Sequence, residues 1–361
     1  MIPKVTRNAK NYPTMIVFPR ALFPALLLPA LALSACAPVV RPMGPETAEP
    51  RIENAEGEAP VLVARDGMRL PMQVWRPPGG KSGEKPKAMI LALHGFNDYA
   101  NGIALPAAWW AARGIESWAF DQRGFGRAPH RGYWAGTAAM TADLRTAAAA
   151  LKGIHPEAPL FLVGVSMGGA VTMAALADGP IAGVDGAILV GPAVWGRAYM
   201  PWYQRLALRF FSNTVPWFTV TGEGLNRQPS DNIPMLRKLS RDPHIIRHTR
   251  IDAIRGLVDL MDSAQAAASR LNHTKVLMIY GLRDEIVPKK PVLDAMRNLP
   301  GRAGSKRAVY SASWHMMLRD LKAEIVWRDI VGWMADAARP LQSGADAKAE
   351  DLLANPENSR R

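Results

Sequence analysis

Short apolar runs recur along the chain and end at turn-forming residues. The run at 88–93 (Ala-Met-Ile-Leu-Ala-Leu) is apolar without interruption, the signature of a strand covered on both faces, and 160–165 and 187–190 read the same way. Further strands are predicted at 115–120, 275–281 and 307–310. Between them the pattern predicts helices over 137–151, 170–177 and 251–271, and from beyond Trp314 to about Ala337. Strand and helix alternating in this way predict an α/β fold built on a parallel sheet. Ahead of it, 61–64 and 68–75 flank Asp66-Gly67 and predict a β-hairpin. The rhythm breaks at 195–250, where eight aromatic residues fall within the 24 positions from Trp195 to Phe218. That density predicts an inserted cap whose aromatics line an apolar channel or pack a small helical subdomain, with any exposed part free to touch lipid.

The flanks lack this patterning. The stretch 36–60 is rich in Pro, Glu and Ala and poor in large apolar residues, so it is expected to be a disordered tether. The polar, alanine-rich stretch 339–361 is expected to be a disordered tail. At 361 residues the chain accommodates one large α/β domain with an insertion, or two ordinary domains. Net charge is +13, and removing a leader that carries Lys4, Arg7, Lys10 and Arg20 would leave +9. The basic residues are scattered, with no Lys/Arg run longer than two, which argues against nucleic acid and leaves an anionic membrane surface as the fitting partner.

Candidate chemistry begins at Gly164-Val165-Ser166-Met167-Gly168-Gly169, a Gly-x-Ser-x-Gly motif closing a strand and opening a helix. A serine held at such a turn is exposed to a base on one side and to unpaired backbone N–H groups on the other, so Ser166 is the candidate nucleophile. Asp284, in Gly281-Leu282-Arg283-Asp284-Glu285-Ile286-Val287-Pro288, follows a strand, where catalytic groups of open α/β sheets collect; Glu285 is the competing acid. His315, between the last strand and helix, is the candidate base, with His94 as the alternative. Asp121 and Arg123 of Asp121-Gln122-Arg123-Gly124-Phe125-Gly126 are expected to tie their turn, and Asp143 to be a surface or packing residue. Gly79-Gly80-Lys81-Ser82 lacks the first glycine of a phosphate loop, Trp75 standing there instead. A lone cysteine, Cys36, follows a short apolar core (21–33) in Leu33-Ser34-Ala35-Cys36.

Two resemblances follow from these motifs. Leu33-Ser34-Ala35-Cys36 resembles the lipobox of bacterial lipoproteins, which implies a signal peptide over 1–35, lipidation of Cys36 and residence on a membrane of the cell envelope, the outer one in a Gram-negative cell. Over roughly Val61 to Ala337, on the motifs from His94-Gly95 to Trp314-His315, the chain resembles the α/β-hydrolase superfamily, in its monoglyceride lipase/lysophospholipase branch, often grouped with serine aminopeptidases. The resemblance implies an eight-stranded, mostly parallel sheet (core 61–194 and 251–338) with a cap (195–250) after the sixth strand. It implies a triad in the order Ser166, Asp284, His315, an oxyanion hole from the Phe96 and Met167 amides, no metal or organic cofactor, and hydrolysis of lipid-like esters. A serine aminopeptidase and a catalytically silent binding module of the same fold are the alternatives. One departure stands out: many relatives follow His-Gly with a Gly-Glu-His-like run, and here it is Phe96-Asn97-Asp98-Tyr99.

Overall fold

All six residues of β4 (Ala88–Leu93) and of β5 (Ile115–Phe120) are buried, as the apolar pattern requires for strands covered on both faces. The computed structural model describes residues 37–54, 58–79, 85–224 and 226–355; Cys36 and the stretch before it, expected to be a signal peptide, lie outside the described residues. Besides β4 and β5 the main sheet contains β1 (Arg51–Glu53), β2 (Val61–Val63), β3 (Arg69–Trp75), β6 (Leu160–Val165), β7 (Val184–Val190), β10 (Val276–Gly281) and β11 (Lys306–Tyr310). Its order is β1-β2-β3-β5-β4-β6-β7-β10-β11. The six strands from β5 to β11 are parallel, and β1, β2 and β3 add on antiparallel. The hairpin turns at Asp66-Gly67, with Gly67 at φ +77°, a conformation glycine adopts without penalty.

Alternate residues of β4 feed two cores. Met89, Leu91 and Leu93 pack beneath α2 (Thr137–Ile154), α3 (Met167–Ala177), α6 (Ile251–Ala267) and α7 (Lys289–Asn298), whereas Ile90 and Ala92 face α1 (Ala104–Ala111) and α8 (Ala323–Ala335). The chain lays β5 on one side of β4 and β6 on the other. Connections therefore leave β4 and β6 in opposite directions, and a crevice opens beyond their carboxyl ends, where ligands of such sheets bind. The cap bridges β7 and α6. It comprises α4 (Trp202–Thr214), β8 (Thr219–Val220), α5 (Ile233–Leu239) and β9 (Thr249–Arg250), and its neck is closed by antiparallel pairing of Thr219 with Arg250.

Three expectations are corrected. The presumed tether is ordered from residue 37 to 54: Arg41 N–H donates to the Trp134 carbonyl, Thr47 and Ala48 N–H to the Arg65 carbonyl, and β1 pairs with β2, giving the sheet nine strands rather than eight. A sheet edge captures an extended segment through its main chain, which a scarcity of apolar side chains does not prevent. The presumed tail forms α9 (Ala345–Ala354) against β11, burying Ala349 and Leu352; its alanines, which offer little core, are strong helix formers. Asp143 is neither at the surface nor a mere packing residue. Its side chain is 1% exposed and shares the buried Arg123 guanidinium with Asp66, with contacts of 2.6 Å to each carboxylate.

Candidate active site

The elbow is built from its glycines. A Cβ on Gly168 would lie 2.3 Å from the Leu93 carbonyl oxygen and one on Gly164 2.6 Å from that of Gly168, so β4, β6 and α3 approach closely only because both side chains are absent. The turn forces Ser166 to φ +51°, ψ −111°, a left-handed strain concentrated at the residue proposed to react. Its backbone is held on both sides: Ser166 N–H donates to the Val190 carbonyl (2.9 Å) and its own carbonyl accepts from Ala193 N–H (3.0 Å).

Asp284 and His315 converge from separate loops beyond β10 and β11. His315 Nδ1 lies 2.7 Å from Asp284 Oδ2, with both side chains buried. The other carboxylate oxygen, Oδ1, accepts from Ile286 N–H (2.7 Å) and Val287 N–H (2.9 Å), so Asp284 is fixed before it fixes the imidazole. With Nδ1 so engaged, Nε2 is the nitrogen left to serve Ser166, and both residues line one cavity of about 450 Å³. Gly95 comes near enough that a Cβ there would stand 3.5 Å from Ser166 Cβ, which puts the loop after β4 beside the serine.

The two amides expected to form an oxyanion hole differ in origin. Met167 opens α3, so its N–H has no carbonyl a turn earlier to bond. Phe96 lies within the turn closed by Asp98 N–H on the Gly95 carbonyl (3.2 Å), and among the described residues no backbone carbonyl accepts from the Phe96 N–H. The alternatives fall away. His94 is buried, its Nδ1 donates to the Gly95 carbonyl (2.8 Å) and its Nε2 accepts from Gln122 N–H (2.9 Å), so both nitrogens are spent on structure; burial lowers its pKa and favours the neutral ring. Glu285 Oε2 accepts from Gln228 N–H of the cap. Asp121 ties its turn as expected, accepting from Ala100 N–H and Arg127 N–H.

Apolar side chains dominate the cavity, among them Phe96, Trp195, Met200, Leu257, Val258 and Met261. At its polar end Asp98 pairs with Arg319. Sequence reasoning passed over Asp98, Arg319 and Asn97 as site residues, although the unusual run after His94-Gly95 contains two of them. No cluster of metal-ligating side chains occurs among the described residues.

Residues 84–322 match the family model described as serine aminopeptidase, S33. Over 277 residues the chain is 24% identical to the monoacylglycerol lipase of Mycolicibacterium smegmatis, covering 74% of this chain and 93% of that protein. It is 24% identical over 271 residues to the monoglyceride lipase of Rattus norvegicus, covering 73% and 85%. A soluble variant of the Saccharomyces cerevisiae monoglyceride lipase, solved with a substrate analogue, superposes with a TM-score of 0.63 at 20% identity, covering 83% of this chain and all of that one. With a mostly parallel sheet, a Gly-x-Ser-x-Gly turn between strand and helix, and a family match spanning 239 of its 361 residues, the chain belongs to the serine aminopeptidase S33 family of α/β-hydrolases.

Proposed function

We propose that this protein is a serine hydrolase that cleaves carboxylic esters of lipid-like substrates, monoacylglycerol or lysophospholipid, through an acyl-enzyme on Ser166. The observation that carries the reading is the His315–Asp284 pair at 2.7 Å opening, with Ser166, onto one predominantly apolar cavity. In the first step His315 Nε2 takes the Ser166 proton as Oγ attacks the ester carbonyl. The oxyanion rests on the Phe96 and Met167 amides, and His315 then protonates the departing alcohol. In the second, His315 deprotonates a water that attacks the acyl-enzyme, releasing the fatty acid and restoring Ser166. Asp284 holds the ring in its tautomer and stabilises the imidazolium formed in each step.

The similarity to monoacylglycerol lipases supports the substrate class. An aminopeptidase needs a free carboxylate for the substrate amine, and Asp98, the carboxylate among the residues lining the cavity, is already paired with Arg319. A fluorophosphonate probe is expected to label the native protein and not Ser166→Ala. Equal labelling of both, or anilides of amino acids turning over faster than p-nitrophenyl esters of fatty acids, would reverse the assignment.

The reading extends to location. A lipidated Cys36 would anchor the chain to an envelope membrane, and no helix among the described residues is long and apolar enough to cross one. Val39 N–H donates to Asp252 Oδ2 (3.3 Å), and Asp252 N–H donates to the Pro216 carbonyl beside Trp217 and Phe218, which are 53% and 57% exposed. Val39, the third residue after Cys36, is therefore held within two hydrogen bonds of the aromatic part of the cap. Mass spectrometry of the mature N-terminus is expected to find a lipidated Cys36; an unmodified one rejects the anchor.

A further inference from the structure

The departure at Phe96-Asn97-Asp98-Tyr99 has a structural counterpart. Asn97 has φ +63°, a region that strains a residue with a side chain and costs glycine nothing. It occupies the third position of the turn closed by Asp98 N–H on the Gly95 carbonyl, where glycine or asparagine is favoured. Glycine would satisfy the backbone, so the side chain must have another use. Its Nδ2 donates to Thr249 Oγ1 at 2.7 Å, and Thr249 is buried on β9, at the neck where the cap rejoins the core. The Asn97 carbonyl also accepts from Ile246 N–H at 3.0 Å. Two residues on, Tyr99 donates its hydroxyl to Asp242 Oδ2 at 2.7 Å and stacks at an angle on His244, ring centroids 5.3 Å apart. The loop that carries the Phe96 amide is thus tied, through both side chains and main chain, to one limb of the cap at residues 242–249.

We propose that Asn97 is a positioning residue: its bond to Thr249 makes the aim of the Phe96 N–H at the oxyanion depend on the seating of the cap limb. The inference rests on the serine-hydrolase reading above. A hydrogen-bond donor works on a transition state only if it is already aimed where charge develops, and complete loss of one such donor costs on the order of 10²–10³ in kcat. Loosening the turn without removing the amide should cost less, about tenfold. Ground-state binding in the apolar cavity does not use that donor, so KM should hardly move.

The test is a cycle between the two side chains, read as kcat and KM on a p-nitrophenyl ester of a fatty acid. Thr249→Val keeps the shape of the residue and removes the acceptor; Asn97→Gly keeps the backbone conformation and removes the donor. Each is expected to lower kcat about tenfold with KM within about twofold, and the double variant to be no worse than either single one. Thr249→Ser, which retains the hydroxyl, should restore kcat to within about twofold of the native value. Native kcat in Thr249→Val, multiplied losses in the double variant, a loss confined to KM, or a Thr249→Ser as slow as Thr249→Val would each overturn the proposal. If Thr249→Val does not fold, Asn97→Gly, which glycine accommodates without strain, decides by the same split between kcat and KM. Fluorophosphonate labelling separates the two levels: a native protein that neither labels nor turns over esters removes the hydrolase reading and this inference with it. A labelled, active protein with a kcat indifferent to both side chains removes the inference alone.

Discussion

Ser166 combines a strained backbone with a partly exposed side chain, and the strain is sustained by main-chain contacts that an alanine at 166 leaves in place. Ser166→Ala is therefore expected to leave thermal stability within about 0.5 kcal/mol while kcat on esters falls at least about 10⁴-fold. Denaturation midpoints and ester kinetics on the same preparation check both halves. Asp284→Asn should also cost about 10⁴ in kcat, because the amide no longer enforces the tautomer that leaves Nε2 free to accept. Gly168→Ala should behave in the opposite way to Ser166→Ala. Its Cβ would meet the Leu93 backbone at 2.3 Å, so the soluble yield or the melting temperature should fall by the equivalent of about 3 kcal/mol or more before catalysis is assayed.

Elements differ in how far they depend on their neighbours. The strands β4 and β6 are specified by their own composition, since a run of apolar residues has nowhere to go but the centre of a covered sheet. Strand β1 and helix α9 are specified by what they lie against. The edge of β2 offers unpaired main-chain groups that residues 51–53 complete, and β11 offers an apolar flank that Ala349 and Leu352 cover. Lys306 adds an ion pair to Asp346 at 3.2 Å. Ending the chain at Pro340 should lower stability by about 2–5 kcal/mol, comparable to removing one or two buried side chains, with the fold retained. Circular dichroism against temperature measures the loss; an unchanged midpoint would mean that α9 is not part of the folded core. Helix α4 illustrates the limit of pattern reading. Its aromatic residues suggested a packed or channel-lining subdomain with any exposed part free to touch lipid, and which residues are exposed came only with the fold: Trp202, Tyr203 and Phe210 are 69%, 56% and 59% exposed, and of α4 only Ser212 is buried.

At the scale of the molecule, one buried charge cluster joins hairpin, turn and helix: Arg123 lies between Asp66 and Asp143. Burial would raise the pKa of Asp66, but its bonds from Arg123, Gly44 N–H and Met68 N–H outweigh this and hold it down to about 2. A carboxylate whose folded-state pKa lies below its unfolded value contributes stability that is fully present above about pH 4 and is lost as pH falls through about 2. Asp66→Asn should therefore destabilise the protein at pH 7 and differ progressively less from the native chain as pH falls from 4 towards 2. Midpoints of urea unfolding across that range test it, and a constant difference between the two proteins would contradict it.

What the sequence determined by itself was whatever depends on residues adjacent in the chain. Gly-x-Ser-x-Gly between a strand and a helix marked Ser166, the apolar runs marked the sheet, and Asp-Gly marked the hairpin. His315 and Asp284 stood out as candidates because each sits in a loop directly after a strand, the place where an open parallel sheet gathers its functional groups. The tertiary structure alone decided everything that needs two distant segments to meet. It made a strand of 51–53 and a helix of 345–354, since pairing and covering depend on a partner elsewhere in the chain. It buried Asp143 against Arg123 and spent both nitrogens of His94. It also bonded Asn97 to Thr249 across 152 positions of sequence, a contact that local pattern cannot contain because neither residue's surroundings mention the other.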